Sequence, residues 1–219
     1  NKIGLKLDTR KNPFRNPSFK EGLFEVQDGG SQMIAPFFQV EPGMRVIDAC
    51  AGAGGKSLHL AALMENKGSI IAMDVEAWKL KELKKRAKRN GAHNIETRAI
   101  DSTKVIKRLE STADRLLLDV PCSGTGVIKR NPDTKWKLKP EHLDRVRKIQ
   151  KDILRDYSKM LKPGGKMVYA TCSVLRSENE EQVERFLEEN SNYKLLEQKR
   201  VSPSAESDGF FMALIEKSS

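Results

Sequence analysis

The stretch Arg45–Asp74, RVIDACAGAGGKSLHLAALMENKGSIIAMD, constrains this chain more than any other. Val46, Ile47 and Ala49 form a short apolar run, as a strand buried in a parallel sheet should. Gly52, Gly54 and Gly55 follow, and a helical pattern opens near Lys56 and is closed by Gly68. Ser69–Met73 is a second apolar run, and it stops at an acid, Asp74. Strand, glycine-rich turn, helix and strand in this order make one βαβ unit of a nucleotide-binding sheet. Glycine lets the backbone approach a ligand closely. An acid at the end of the second strand, 20 residues after Gly54, can accept hydrogen bonds from ribose hydroxyls.

The turn alone does not choose its ligand. A phosphate-cradling P-loop needs glycine five residues before the Gly-Lys of its end, and that position is Cys50. The dinucleotide fingerprint G-x-G-x-x-G finds Gly52 and Gly54, but its third place is Ser57. A nicotinamide-type ligand and S-adenosylmethionine both stay open at this point.

With 219 residues the chain has room for one α/β domain with a real core. Forty lysines and arginines against 30 acids give +10, which favours a polyanionic partner over a merely soluble basic surface. No apolar run approaches the ~18 residues of a membrane span, and no secretory signal opens the chain. None of the three cysteines stands in a C-x-x-C pair, and His59, His93 and His142 are scattered, so neither a disulfide framework nor a metal site is expected. The default setting is a reducing cytoplasm. The first residue is Asn1, and residues 1–21 are basic and irregular. They read as an arm or a linker from an upstream domain outside this chain.

Along the chain, residues 22–26 read as a short strand, Gln27–Gly30 as a turn, and Ser31 as the cap of a helix through Phe38. Ala77–Asn90 is a helix stopped by Gly91, with Leu80, Leu83 and Ala87 on one face and a lysine- and arginine-rich face opposite, read as solvated. Ile95–Ile100 and Ala113–Val120 are further strands, and Asp101 follows the first of them, placed to meet a ligand or to cap the next helix. Residues 131–139 read as a polar loop in which Trp136 packs, with base stacking as the alternative. A long helix opens at Pro140, includes Leu161 and is stopped by Lys162-Pro163-Gly164-Gly165. Lys166–Thr171 is a fifth strand. Ser177 and Glu180 form a capping box, and two last strands lie at 194–197 and 210–215.

Three reactive side chains, Asp119, Cys122 and Cys172, sit just beyond strand ends, on the sheet edge that also carries the glycine turn and Asp74. Cys50, inside a strand end, reads as a buried structural thiol. Asp119-Val120-Pro121-Cys122-Ser123-Gly124-Thr125-Gly126, then Asn131-Pro132-Asp133 and Lys135-Trp136, resemble the fourth motif of the Sun-type RNA (cytosine-5)-methyltransferases. Leu161–Gly165, Tyr169-Ala170-Thr171-Cys172-Ser173 and Glu178-Asn179-Glu180 resemble the sixth motif of that family. The resemblance runs from about Gly22 to Lys217. One departure stands in the turn, where Gly52 and Ala53 replace the usual Ala-Pro.

The resemblance implies a Rossmann-like α/β methyltransferase fold over residues 22–219, with a mostly parallel seven-stranded sheet flanked by helices on both faces. It implies S-adenosylmethionine as cofactor, held by Cys50, Ala51, Gly52, Ala53, Gly54, Gly55, Lys56, Asp74, Asp101 and Asp119. It assigns Cys172 as nucleophile, Cys122 as the releasing group, Asp119 to the base edge and Lys56 to the target nucleotide. The expected partner is RNA, with the cytosine single-stranded or flipped. Residues 129–151 carry nine lysines and arginines against three acids, and are the stretch expected to track phosphates. The rivals are a nicotinamide-dependent oxidoreductase and a non-catalytic RNA-binding module on the same sheet.

Overall fold

The computed structural model describes residues 4, 5 and 12–219. Seven strands, β1 (Arg45–Asp48), β2 (Ser69–Asp74), β3 (Ile95–Ala99), β4 (Ala113–Asp119), β5 (Leu161–Thr171), β6 (Tyr193–Val201) and β7 (Phe210–Lys217), form one sheet. Their order is β3-β2-β1-β4-β5-β7-β6, parallel except for β7, which runs antiparallel to both its neighbours. The chain reverses its direction of winding between β1 and β4, so the crevice at the carboxyl ends of those strands is where an open α/β sheet binds its ligand.

Alternation along the strands divides the core. Ile47, Leu116, Leu118 and Tyr169 face one side. There they pack on Ile153 and Leu154 of the helix Pro140–Tyr157, and on Val183 and Phe186 of the helix Glu180–Glu189. Val46, Ile70, Leu117 and Val168 face the other, against Ile34 and Phe38 and against Leu60 and Met64, which belong to or directly follow the helices Ile34–Phe37 and Gly55–Leu63. Each fully buried side chain of this size contributes about 1.5–3 kcal/mol, so the burial of both faces holds the two helical layers on the sheet. The helix Ala77–Arg89 closes a third apolar cluster through Leu80, Leu83 and Ala87. No described helix is long and apolar enough to cross a membrane.

Several local expectations are corrected. Residues 22–26 pair with no strand; Glu25 is instead held by Arg86, Arg89 and Asn90 of the basic helix. That helix face is therefore only partly solvated, since Lys79 turns towards the cleft described below. Ser31 does not cap; Asp28 does, accepting from the Gly30 N–H at 2.8 Å. Leu161 leaves the long helix at Tyr157 and begins β5, because the sheet recruits it opposite Ala113 ahead of a bulge. The Ser177–Glu180 capping box is absent. Ser177 accepts from Arg147 at 3.0 Å, and Glu180 is taken by Arg200. Trp136 does not pack: it lies on a four-residue helix, Thr134–Lys137, and is 78% exposed.

Of the basic arm, residues 1–3 and 6–11 lie outside the described residues. What is described is less irregular than expected. Asn12 and Asn16 cap two short helical turns, each begun by proline. Phe19 is buried between Phe14, Phe24 and the Arg89 guanidinium, which stands 4.0 Å from its ring centre.

Candidate active site

A cleft of about 920 Å³ opens at the carboxyl ends of β1, β2, β4 and β5. Cys50, Gly52, Lys56, Asp74, Asp119, Cys122 and Cys172 all line it. The sheet brings the two reactive turns together. Asp119 pairs in register with Ala170, so the turns that follow β4 and β5 leave the sheet side by side. The Gly126 N–H donates to the Cys172 carbonyl at 2.9 Å, and the Gly209 N–H donates to the Gly126 carbonyl at 2.9 Å. A Cβ at Gly126 would stand 2.3 Å from the Gly209 oxygen and 2.8 Å from that of Cys172, so only glycine permits this approach.

The result is two free thiols with their sulfurs 3.1 Å apart. The hydrogen bond from Cys122, with Lys56 in support, draws the Cys172 thiol below its ordinary range against the opposing effects of burial and Asp119. The same hydrogen bond, together with burial, pushes Cys122 well up. The pair is therefore asymmetric: its surroundings favour the thiolate at Cys172 and the protonated thiol at Cys122.

Lys56 and Asp119 form an ion pair beside them. Burial pulls the Lys56 ammonium down, but Asp119 outweighs it and the charge is kept. The ammonium also lies 5.6 Å from the centre of the Phe210 ring. At the other end of the cleft, Asp74 accepts from the Gly52 and Glu76 N–H groups, each at 2.8 Å, which pins the glycine turn to the end of β2. Ala51, Ala53, Gly54 and Gly55 build the turn without lining the cleft, and the Ala53 carbonyl accepts from Arg86 at 2.7 Å. Asp101 is not brought to the cleft. It is exposed and bonds Ser102 at 3.0 Å. Among the described residues, no group of three or more histidine, cysteine or acidic side chains could hold a metal ion.

Two acids behind the cleft were given no role of their own by the sequence. Asp48 is 1% exposed, accepts from Ser57 at 2.6 Å, and leaves its other oxygen buried without a partner. The signal was available: an acid inside the apolar run of β1, where charge is costly. Glu178 is 0% exposed, and its carboxyl group accepts from the Ser123 N–H (2.8 Å), the Ser123 hydroxyl (2.5 Å), the Ser173 hydroxyl (2.7 Å) and the Gln150 amide (2.9 Å). Ser123 follows Cys122 and Ser173 follows Cys172, so one carboxyl group ties both cysteine turns. Glu178→Ala is expected to destabilise the fold by about 3 kcal/mol, because buried donors left unpaired cost about 1–3 kcal/mol each. Urea unfolding should show a lower midpoint with an unchanged slope, and Glu178→Gln, which keeps an acceptor, should lose less.

A sequence-family model described as 16S rRNA methyltransferase RsmB/F matches residues 35–216. A probable ribosomal RNA small subunit methyltransferase B of Bacillus subtilis is 40% identical over 177 residues, covering 80% of this chain and 40% of that protein. The ribosomal RNA small subunit methyltransferase B of Proteus mirabilis is 36% identical, covering 97% of this chain and 50% of that one. The chain thus spans about half the length, or less, of these curated relatives. The crystal structure of NSun6 from Pyrococcus horikoshii with SFG superposes with a TM-score of 0.86 at 28% identity, over 95% of this chain and 57% of that one. On the extent of the family match and the identity to these relatives, the chain belongs to the 16S rRNA methyltransferase RsmB/F family.

Proposed function

We propose that this chain transfers a methyl group from S-adenosylmethionine to carbon 5 of a cytosine in RNA, with ribosomal RNA as substrate and transfer RNA next in line. The observation that carries the reading is the pair of unlike thiols 3.1 Å apart, in one cleft with the Lys56–Asp119 ion pair. A nicotinamide enzyme on this sheet has no shared use for Cys122 and Cys172.

Carbon 5 of cytosine is too poor a nucleophile to take a methyl group from a sulfonium. A thiolate that adds to carbon 6 turns the ring into an enamine-like nucleophile and splits one hard step into easier ones. Cys172, already drawn towards the thiolate, makes that addition. Negative charge that builds on the ring meets the Lys56 ammonium, while Asp119 accepts from the exocyclic amino group. Once Cys172 is bonded to carbon it no longer accepts from Cys122, which removes the largest cause of the raised Cys122 pKa. With that cause removed, Cys122 gives its own proton to solvent and then takes the carbon 5 proton, directly or through a water. The carbon 5–carbon 6 double bond re-forms, and the bond to Cys172 breaks with its electron pair returning to sulfur.

The cleft fits the cofactor. A Cβ on Gly52 would meet nothing within 4 Å, so the turn offers its backbone to an open space, with Asp74 on the same wall at the end of β2. Bound there, the cofactor supplies an electrophilic methyl group on a sulfonium. The NSun6 relative was solved with SFG, an S-adenosylmethionine analogue, which supports the reading. Residues 22–219 are the catalytic domain in this reading. Residues 1–21 are a basic arm or a linker from an upstream domain, in a protein of the cytoplasm.

Incubation with methyl-labelled S-adenosylmethionine and unmethylated small-subunit ribosomal RNA is expected to label the RNA. Nuclease digestion should return the label as 5-methylcytidine. Label on another base would overturn the assigned reaction, and label confined to transfer RNA would overturn the preferred substrate.

A further inference from the structure

We infer that a second cavity, beside the reaction cleft, binds the nucleotide adjacent to the target cytosine in single-stranded RNA. This inference rests on the proposed RNA reaction. The cavity has a volume of about 610 Å³ and is walled by Ser123, Arg130, Asn131, Thr134, Lys137 and His142, among others. It is continuous with the catalytic turn, since Ser123 follows Cys122 in the chain. Arg130 and Asn131 line both spaces and form the ridge between them. A strand whose cytosine enters the cleft from this side crosses that ridge, and its next nucleotide arrives over the second cavity.

The chemistry of the walls suits a nucleotide. The Asn131 amide and the Thr134 hydroxyl make no hydrogen bond with any described residue, and both have donors and acceptors to offer a base edge. Asp208 takes the Nε of Arg130 at 2.5 Å, which leaves the two terminal guanidinium nitrogens without a described partner. Among the described residues the Lys137 ammonium pairs with Asp133 alone, an exposed acid that also lines the cavity, and Lys137 and the Arg130 guanidinium give the rim its attraction for phosphate. On the same short helix the exposed Trp136 ring, with the Lys135 ammonium 5.0 Å from its centre, offers a face on which a further base can stack. A packing role for that helix would have buried Trp136. Instead the fold presents an aromatic ring to solvent on the same short segment as the unspent polar groups of the cavity.

The test uses a pool of single-stranded RNA with a central cytosine and randomised neighbours. It compares the wild-type chain with Asn131→Ala/Thr134→Val, Lys137→Ala and Trp136→Ala. All four side chains are at least partly exposed, and unchanged melting temperatures would show the variants folded. Sequencing of the methylated pool should reveal a preference at one neighbouring position in the wild type. Asn131→Ala/Thr134→Val should flatten that preference and raise KM severalfold with little change in kcat. Fluorescence anisotropy of the same RNA, without cofactor, should show binding weakened about tenfold in Trp136→Ala. In Lys137→Ala the salt dependence should become shallower by roughly one phosphate contact. An unaltered neighbour preference with unaltered KM in the double variant overturns the inference. If the wild-type chain transfers no methyl group, the proposed reaction is what fails. The cavity is then judged by anisotropy, where equal binding by all four proteins overturns it.

Discussion

Cys122→Ala is expected to run as a covalent protein–RNA band on a denaturing gel when mixed with RNA and S-adenosylmethionine, while Cys172→Ala forms no band and loses methylation. The two sulfurs are 3.1 Å apart, but their environments divide the work. Cys172 is the one drawn below its ordinary range, and Cys122 is the one whose proton is held. Removing Cys122 leaves addition and methyl transfer possible and removes the group assigned to release, so the adduct accumulates. Removing Cys172 removes the bond-forming atom, and the expected loss is on the order of 10³-fold or more. The double variant should match Cys172→Ala in rate and should lack the band, because residues that act as a unit are not additive. Cys122→Ala also takes away the hydrogen bond that favours the Cys172 thiolate, so adduct formation should need a higher pH than wild-type turnover does. If Cys172→Ala still methylates RNA, or if the band forms in Cys172→Ala and not in Cys122→Ala, the assignment of the nucleophile is wrong.

The parts of this site legible in the sequence are those set by local pattern. Gly52, Gly54 and Gly55 between two apolar runs announce a strand, a turn and a helix, and these form at β1, Gly55–Leu63 and β2. Asp119, Cys122 and Cys172 were placed by the strands that precede them, and the parallel register of β4 with β5 brings them into one cleft. The N-terminal turns carry a signal in two Asn-Pro steps at 12–13 and 16–17, but the lack of an apolar period there makes the segment read as irregular. What stayed hidden depends on distant partners. Glu178 is 55 residues from the Ser123 it holds, and the local sequence offered Ser177 and Glu180 as a cap instead. The cap failed because Arg147 and Arg200, from other elements, took both side chains. Asp101 stands at a strand end as the topology requires, but β3 is the edge strand, farthest from the cysteines on that side of the sheet, and its acid points to solvent. Strand ends mark candidates, and distance from the point where the winding reverses decides among them.

Asp48→Asn is expected to be more stable relative to the wild type at pH 8 than at pH 4, by about 4 kcal/mol. Burial, with the nearby negative charge of Asp119 added, raises the Asp48 carboxyl from 3.8 to about 7 in the native chain, against the opposing hydrogen bond from Ser57 and the charge of Lys56. Below pH 3.8 both native and unfolded chains hold the proton and the group contributes nothing to the pH dependence. Between 3.8 and 7 the native chain holds a proton that the unfolded chain has released. Stability therefore falls as pH rises, by about 1.4 kcal/mol per unit, and levels once the native group also ionises. Asparagine carries no such proton. Its carbonyl can accept from Ser57 as Asp48 does, and its amide occupies the place of an oxygen that already lacks a partner. Any steric or hydrogen-bonding difference is thus constant with pH. Other linked groups cancel in the comparison. Glu25 is one: its hydrogen bonds from Arg86 and Asn90 outweigh burial, and it stabilises the fold less as the pH falls. Urea unfolding of both proteins between pH 4 and 9 measures the difference directly. A difference that does not change with pH would mean that Asp48 is ionised throughout. A proton on Asp48 near neutrality has a use in the site. Two ionised acids beside one ammonium would divide Lys56 between them, and each proton held by Asp48 leaves the Lys56 charge to its ion pair with Asp119.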